Sequence, residues 1–345
     1  MTLGIIFGSK SFEHEISIVS AITMKKVLKN TLEYIFIDQH RDFYHIPASK
    51  INSKLFSSGE YKKYDKLQIS QGGFFKSSLF GQKKLDIDTI LNLTHGGDGE
   101  DGVLASLFEF FNIPFIGPRN TACVVSCDKY ITKQYASSIN VKTLPCEYFH
   151  KDDKVSVEKY PVIIKPTKLG SSIGVSIVKS ADELDYALDV AFEYDDTIII
   201  EPFINGVKEY NLAGAKIGNN EIQFSIIEEP QKEEFLDFEK KYMDFNRTQQ
   251  VLKANISDEL ISQLKDNFIK VYNNTFDGSL IRCDFFVIDD EVYLNEINPI
   301  PGSMANYLFD DFNTLINQIS KYLPKQKDIK IDYTYVNQIQ SAKGK

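Results

Sequence analysis

Two apolar runs near the C-terminal end carry polar residues two positions apart: Ile281-Arg282-Cys283-Asp284-Phe285-Phe286-Val287 and Val292-Tyr293-Leu294-Asn295-Glu296-Ile297-Asn298. Their aliphatic and aromatic content reads as strand, and the acidic Asp289-Asp290-Glu291 between them reads as the turn. Side chains alternate along a strand, so Arg282 and Asp284 share a face, as do Glu296 and Asn298. A three-residue turn sets Ile288 opposite Val292, Asp284 opposite Glu296 and Arg282 opposite Asn298. A slip of one residue would scatter the four polar groups, and sequence alone leaves the register open. In this register two carboxylates, an amide oxygen and a guanidinium meet on one patch. Such hard oxygen donors suit Mg²⁺, which takes carboxylates together with substrate phosphates. The bland alternative is a solvated polar face.

A chain of 345 residues exceeds one simple core and divides into two or three domains. Its net charge of −9, from 39 basic and 48 acidic residues, argues against nucleic acid or an anionic membrane as partner. An anionic nucleotide stays open, because a local cluster of lysines and metal ions overrides the mean. No apolar run is long enough to span a membrane. The opening Met1-Thr2-Leu3-Gly4-Ile5-Ile6-Phe7 lacks a basic lead-in and runs straight into Gly8-Ser9, so a first strand is expected there, not a signal peptide. The four cysteines, Cys123, Cys127, Cys146 and Cys283, form no CxxC pair. The i,i+4 spacing of Cys123 and Cys127 reads as buried helix thiols, and a reducing, cytoplasmic compartment is expected.

Strand and helix signals alternate through the first 118 residues. Residues 4–7 form a short apolar strand, 16–28 carry helical periodicity, and 34–37 form a second strand. A strand at 89–93 feeds His95-Gly96-Gly97-Asp98-Gly99-Glu100-Asp101-Gly102, a loop with four glycines in eight residues. A helix over 103–111 and a strand-turn unit at 113–118 follow. This βαβ alternation predicts an α/β domain with a doubly wound, Rossmann-like sheet. Residues 49–84 are polar and give only short extended runs. Further on, an amphipathic helix is expected over 127–138, with strands at 162–164 and 197–200. Two strand-like runs lie beyond Gly206, then a charged segment at 228–247, a helix at 258–273 and the polar hairpin. Residues 329–335 read as a short strand in a Lys-rich tail. The expected units are an N-terminal α/β substrate domain at 1–122, a central one at 123–205 and a C-terminal one at 206–345.

After the strand at 162–164 comes Lys165-Pro166-Thr167-Lys168-Leu169-Gly170-Ser171-Ser172-Ile173-Gly174. Two glycines, two serine hydroxyls and a lysine at the root can present N–H groups and charge to phosphates, or can simply form a hairpin turn. The spacing is not that of a P-loop, and no GxGxxG opens a βαβ unit. The apolar Ile198-Ile199-Ile200 ends in Glu201 before a proline. Its last backbone groups can read an adenine edge, with Glu201 accepting from the exocyclic amine and Glu209 taking ribose hydroxyls. Both glutamates also fit ordinary surface positions. Lys129 is a helical lysine, solvated or functional. His95 roots the Gly-rich loop, for a structural hydrogen bond or a substrate contact. Glu13 and Glu15 flank His14 at the start of the first helix. A carboxylate there either favours the helix N-terminus by charge or holds a substrate ammonium.

In this order the elements resemble the ATP-grasp ligases and, within them, the D-alanine–D-alanine ligase family, over nearly the whole chain. The anchors are Glu13-His14-Glu15-Ile16-Ser17, the 95–102 loop, Lys165-Pro166 with Gly170-Ser171-Ser172-Ile173-Gly174, Lys241-Tyr242, Arg282-Cys283-Asp284 and Glu296-Ile297-Asn298-Pro299-Ile300-Pro301-Gly302. The resemblance implies a three-domain ATP-grasp architecture, with α+β character in the two ATP-grasp subdomains at 123–205 and 206–345. It implies ATP-dependent ligation of two D-alanines through an acyl phosphate, a cytoplasmic step in making peptidoglycan precursors. The substrates implied are the small molecules D-alanine and ATP, with two Mg²⁺ or Mn²⁺, and a homodimer is expected.

By residue, the resemblance puts Glu15 on the first D-alanine's ammonium, with Ser171 and Tyr242 in a hydrogen-bonded link that closes the site. Lys129 and Lys165 take ATP phosphates, Glu201, Pro202, Phe203 and Ile204 take adenine, and Glu209 takes ribose. Asp284, Glu296 and Asn298 hold the metals, while Arg282 and the Gly302 N–H form the oxyanion hole. Lys241 holds the second substrate's carboxylate, His95 and Leu308 belong to the substrate site, and 235–247 is a lid. The family commonly has a Ser-Leu pair a few residues past the final glycine, whereas this chain has Tyr307-Leu308. Tyr307 then reaches that carboxylate itself or narrows the pocket. Rival readings are a ligase of the same fold using D-lactate or D-serine, and a non-catalytic nucleotide-binding module.

Overall fold

The computed structural model describes residues 1–79, 81–218, 221–230 and 253–343, and the described strands form three sheets. In the first, eight strands run in the order Gly81–Lys84, Gly73–Ser78, Lys66–Ser70, Phe43–Ile46, Thr31–Ile37, Thr2–Gly8, Thr89–Asn92, Phe115–Ile116. Thr2–Gly8 pairs in parallel with Thr31–Ile37 and with Thr89–Asn92, which pairs in parallel with Phe115–Ile116. Parallel strands are covered on both faces and therefore read as continuous apolar runs; Ile5, Ile6 and Phe7 are fully buried. This half is the doubly wound sheet the alternation predicts. The opaque stretch before residue 84 continues the same sheet as an antiparallel meander. Its last strand, Gly81–Lys84, is exposed throughout, so no apolar alternation announces it.

The second sheet, Ser176–Val178, Val162–Pro166, Thr197–Pro202 and Glu147–His150 in spatial order, is antiparallel. Helix Leu184–Phe192 buries Leu184, Ala187 and Ala191 against its Val162, Ile164 and Ile198. The helix expected over 127–138 forms as Lys129–Ser138, and another helix, Asn120–Cys127, precedes it. Asp128 separates them, because its carboxylate caps the second helix by accepting from the N–H groups of Tyr130 at 2.9 Å and Ile131 at 3.2 Å.

The third sheet, also antiparallel, is ordered Ile222–Glu228, Lys208–Lys216, Leu280–Ile288, Glu291–Asn298. Helix Asp258–Tyr272, capped by Ser257, packs Leu264, Phe268, Val271 and Tyr272 into its core. The chain then returns to the first sheet. Helix Phe312–Ile319 buries Phe312, Leu315, Ile316 and Ile319 in one cluster with Leu3, Phe7 and Met24. This return brings the turn after Asn298 against the first helix, His14–Val27, where the Ser303 N–H donates to Ser20 Oγ at 3.1 Å. The strand expected at 329–335 does not form. Ile329 and Ile331 are exposed, and a helix, Thr334–Lys343, follows. Among the described residues no helix is long and apolar enough to cross a membrane.

Candidate active site

The turn of the polar hairpin is one residue shorter than expected. Ile288 faces Glu291 and Val287 faces Val292, leaving Asp289 and Asp290 at φ of 49° and 61° as a two-residue turn. Two successive positive φ values are what a type I′ turn needs. A β-bulge beside Asp284 then restores the offset. Phe285 faces Leu294 but Asp284 faces Glu296, so Asn295 is the extra residue. Arg282 faces Asn298 as expected, through a shorter turn plus a bulge.

The four side chains interlock. Arg282 donates from Nε to Asp284 Oδ1 at 2.6 Å and from Nη2 to Oδ2 at 2.8 Å, a two-bonded fork. Asn298 Nδ2 donates to Asp284 Oδ2 at 3.0 Å and to Glu296 Oε1 at 3.5 Å, leaving its Oδ1 as the available donor to a cation. Burial pushes the Asp284 carboxyl up to about 7 against the pull of Arg282, and Glu296 and Glu209 add to the rise. A divalent cation beside these carboxylates would relieve that cost. Among the described residues no three His, Cys, Asp or Glu side chains make a metal site by themselves. Two carboxylates and an amide oxygen are the donor set that Mg²⁺ accepts when substrate phosphates complete its shell.

Lys208–Lys216 runs beside the hairpin, setting Glu209, Asn211 and Ala213 opposite Phe286, Asp284 and Arg282. Asn211 donates to Glu228 at 3.2 Å on the next strand. Sequence reasoning missed Asn211 and Glu228; the signal for Asn211 was its place two residues from Glu209. Tyr307 exposes 45% of its surface, yet its hydroxyl end lies against Arg282, with burial raising its pKa and Arg282 opposing. Leu308 is buried with Ala213 and Ala305 beneath this face and contributes packing. Between Gly302 and Tyr307, Ser303, Met304 and Ala305 all hold left-handed φ, at 48°, 55° and 48°. Such a run costs ~1–2 kcal/mol per residue and is held by bonds such as Met304 N–H to Pro301 O at 2.7 Å. Nothing lies within 4 Å of where a Cβ would stand on Gly302.

Opposite this face stand the lysines. Lys165 Nζ lies 2.5 Å from Glu201 and 3.5 Å from Asn295 Oδ1, the bulge residue. Lys129 Nζ donates to Leu169 O, and burial lowers its pKa although Glu296 opposes. Glu201 is buried between Lys165 and Lys133, the second of which sequence reasoning did not single out. Burial alone would raise the Glu201 carboxyl; the two lysines outweigh it and hold it below the usual range. Beyond Pro202, which is exposed, the Phe203 N–H donates to Pro161 O at 3.0 Å, and Phe203 and Ile204 are half-buried.

At the third corner the structure departs from the expectation for Glu15, which is exposed on the first turn of its helix. Glu13 is the buried one and accepts a hydrogen bond from Ser171 Oγ. A Cβ on Gly96 would stand 2.7 Å from Glu13 Oε2, and one on Gly170 would stand 3.2 Å from both of its oxygens. Glycine at these two positions lets the 95–102 and 165–174 loops close on one carboxylate. His95 sits behind, with Nε2 2.8 Å from Ser20 Oγ and its N–H donating to Ser17 Oγ at 2.8 Å. It ties the first helix to the Gly-rich loop, and burial lowers its pKa to about 4. Glu100 is raised by burial and then by Glu13. Lys241, Tyr242 and the 235–247 lid lie outside the described residues.

Comparisons with known proteins identify the family. Residues 2–118 match the family described as D-ala D-ala ligase N-terminus, and residues 139–313 match D-ala D-ala ligase C-terminus. A D-alanine–D-alanine ligase from a Sulfurovum species is 63% identical over 348 residues, covering 100% of both chains. One from Wolinella succinogenes is 60% identical over 346 residues, again covering 100% of both. The crystal structure of the D-alanine–D-alanine ligase from Helicobacter pylori superposes with a TM-score of 0.84 at 49% identity, over 95% of this chain and 100% of that one. With both family halves matched in order and close relatives aligned from end to end, the chain belongs to the D-alanine–D-alanine ligase family.

Proposed function

We propose that this ligase uses ATP to activate one D-alanine as an acyl phosphate and joins it to a second. The observation that carries the reading is the Arg282–Asp284–Glu296–Asn298 patch facing Lys129 and Lys165. The two lysines hold ATP phosphates, the backbone of Glu201 through Ile204 holds adenine, and Glu209 holds ribose. Asp284, Glu296 and Asn298 hold Mg²⁺ or Mn²⁺, which supplies positive charge against the phosphoryl oxygens when bound.

Glu13, in place of Glu15, holds the ammonium of the first D-alanine, and Ser171 fixes the carboxylate that does so. The substrate carboxylate attacks the γ-phosphorus, and ADP leaves. The amine of the second D-alanine, having lost a proton, attacks the acyl carbon. Arg282 and the Gly302 N–H stabilise the oxyanion that forms, a role typically worth ~3–4 kcal/mol per donor. Phosphate leaves with one former carboxylate oxygen, and the peptide bond remains. Tyr307, beside Arg282, donates to the second carboxylate together with Lys241, while Tyr242 extends the Ser171 link. His95 holds the floor of the site and does not touch substrate. The reading also carries a cytoplasmic homodimer. It sets unit boundaries near residues 122 and 205, and the sheets spanning 2–116, 147–202 and 208–298 support those boundaries.

The test is to supply ATP, Mg²⁺ and single amino acids, following ADP release and identifying the product by mass. D-alanine should give ADP and D-alanyl-D-alanine in equal amounts, and L-alanine should give neither. A mixed product with D-lactate or D-serine at higher kcat/KM would reassign the acceptor. No ADP at all would leave only nucleotide binding.

A further inference from the structure

We propose that Lys133 sets the position of Lys165 by holding the charge of Glu201, and so governs ATP affinity without touching the nucleotide. The proposal rests on the ATP reading above. Lys133 stands one helical turn after Lys129 on Lys129–Ser138, so one helix face supplies both ammonium groups. Its side chain is 6% exposed, that of Glu201 2% and that of Lys165 13%. Lys133 Nζ contacts Glu201 Oε1 and also donates to Leu144 O at 2.8 Å. Its polar contacts go to protein partners, and it is buried. Lys165, by contrast, reaches from Glu201 Oε2 toward Asn295 on the metal hairpin.

Two ammonium groups thus share one buried carboxylate. When Lys165 turns to a phosphate oxygen, Glu201 keeps Lys133 as its counter-charge. Without Lys133 the same movement would strand a buried anion, which is strongly unfavourable. Lys165 would then stay on Glu201, and ATP would lose a phosphate contact. Lys133 is a positioning residue, acting only through Glu201.

Calorimetric titration of the full chain with ATP and Mg²⁺ tests this on Lys133→Met, Glu201→Gln and the double variant, with Tm recorded for each. Lys133→Met should raise the Kd for ATP about 10-fold or more, and KM for ATP should rise while both D-alanine KM values hold. Glu201→Gln removes the shared carboxylate and supplies the reference Kd against which the double variant is read. The double variant should return to that level, because Lys133 has nothing left to neutralise. A double variant about 10-fold or more weaker than Glu201→Gln would show that Lys133 acts independently of Glu201 and would overturn the proposal. If Lys133→Met fails to fold, Glu201→Gln against the double variant still decides: a further 10-fold loss would mean that Lys133 meets the nucleotide itself. Wild-type protein that binds no ATP would overturn the ATP reading instead, a distinct result.

Discussion

The polar hairpin and the Glu13 corner sit in one site, yet they are built by opposite routes. In the hairpin the partners are near in sequence: Arg282, Asp284, Glu296 and Asn298 lie on two strands joined by two residues. Their alternation nearly writes the site, and the bulge at Asn295 corrects what the short turn would misplace. At the corner, Glu13 meets Ser171 across 158 positions, and two loops must dock to make the contact. Both Glu13 and Glu15 lie at the start of one helix, so local pattern cannot choose between them. Burial chooses. Locally paired groups are readable from sequence, whereas groups recruited by docking are readable only once the sheets are assembled.

The strongest way to break the hairpin side of that comparison is Glu296→Gln. It should lower kcat on the order of 10³-fold, about 4 kcal/mol, while Tm moves little because Glu296 is only half-buried. Retention of more than about a tenth of the turnover, a loss under ~1.4 kcal/mol, would remove the metal assignment. The corner is sharpened by comparing Glu13→Gln with Glu15→Gln. The first should raise the first D-alanine KM roughly 10–100-fold, from the ~1.5–3 kcal/mol of a hydrogen bond to a charged group, and the second should leave it nearly unchanged. Equal effects would mean that burial is not the deciding signal.

A smaller effect is expected where the two regions meet. Tyr307→Phe should raise the second D-alanine KM about 10-fold, near ~1.5 kcal/mol, with the first unaltered; an unaltered second KM would make Tyr307 a wall of the pocket. The smallest concerns the scaffold behind the corner. An unfolded histidine titrates near 6.5 and the buried His95 near 4, so the folded state binds fewer protons between those values. The stability from neutral His95 is complete above pH 6.5 and is lost as pH falls toward 4. Between pH 7.5 and 5 the loss should be about 2 kcal/mol by urea unfolding. His95→Gln should flatten that slope, and an unchanged slope would assign it to other groups.

Much of the fold follows from pattern. The parallel half of the first sheet, the helix over 258–272 and the site register carry periodicity that burial imposes. The meander before residue 84 is opaque because its outer strand Gly81–Lys84 buries nothing. The break at Asp128 is a capping event inside an otherwise helical pattern. Lys133 and Asn211 were missed because a lysine on a helix and an asparagine on a strand look ordinary until their buried partners are known. Tyr307 shows the converse: its position was evident as a departure from the family pattern, but its approach to Arg282 required the left-handed turn at 303–305.

In the proposed reaction a D-alanine carboxylate oxygen bonds to the γ-phosphorus before the peptide bond forms. Turnover of D-alanine labelled with ¹⁸O in both carboxylate oxygens, with unlabelled ATP and water, measures this by mass spectrometry of the released phosphate. The acyl-phosphate route puts one ¹⁸O in the inorganic phosphate for each dipeptide made, because the oxygen that attacks phosphorus departs with it. Phosphate free of label, alongside full dipeptide formation, would contradict the acyl-phosphate route, and with it the oxyanion role of Arg282 and the phosphoryl-facing role of the Asp284–Glu296–Asn298 patch.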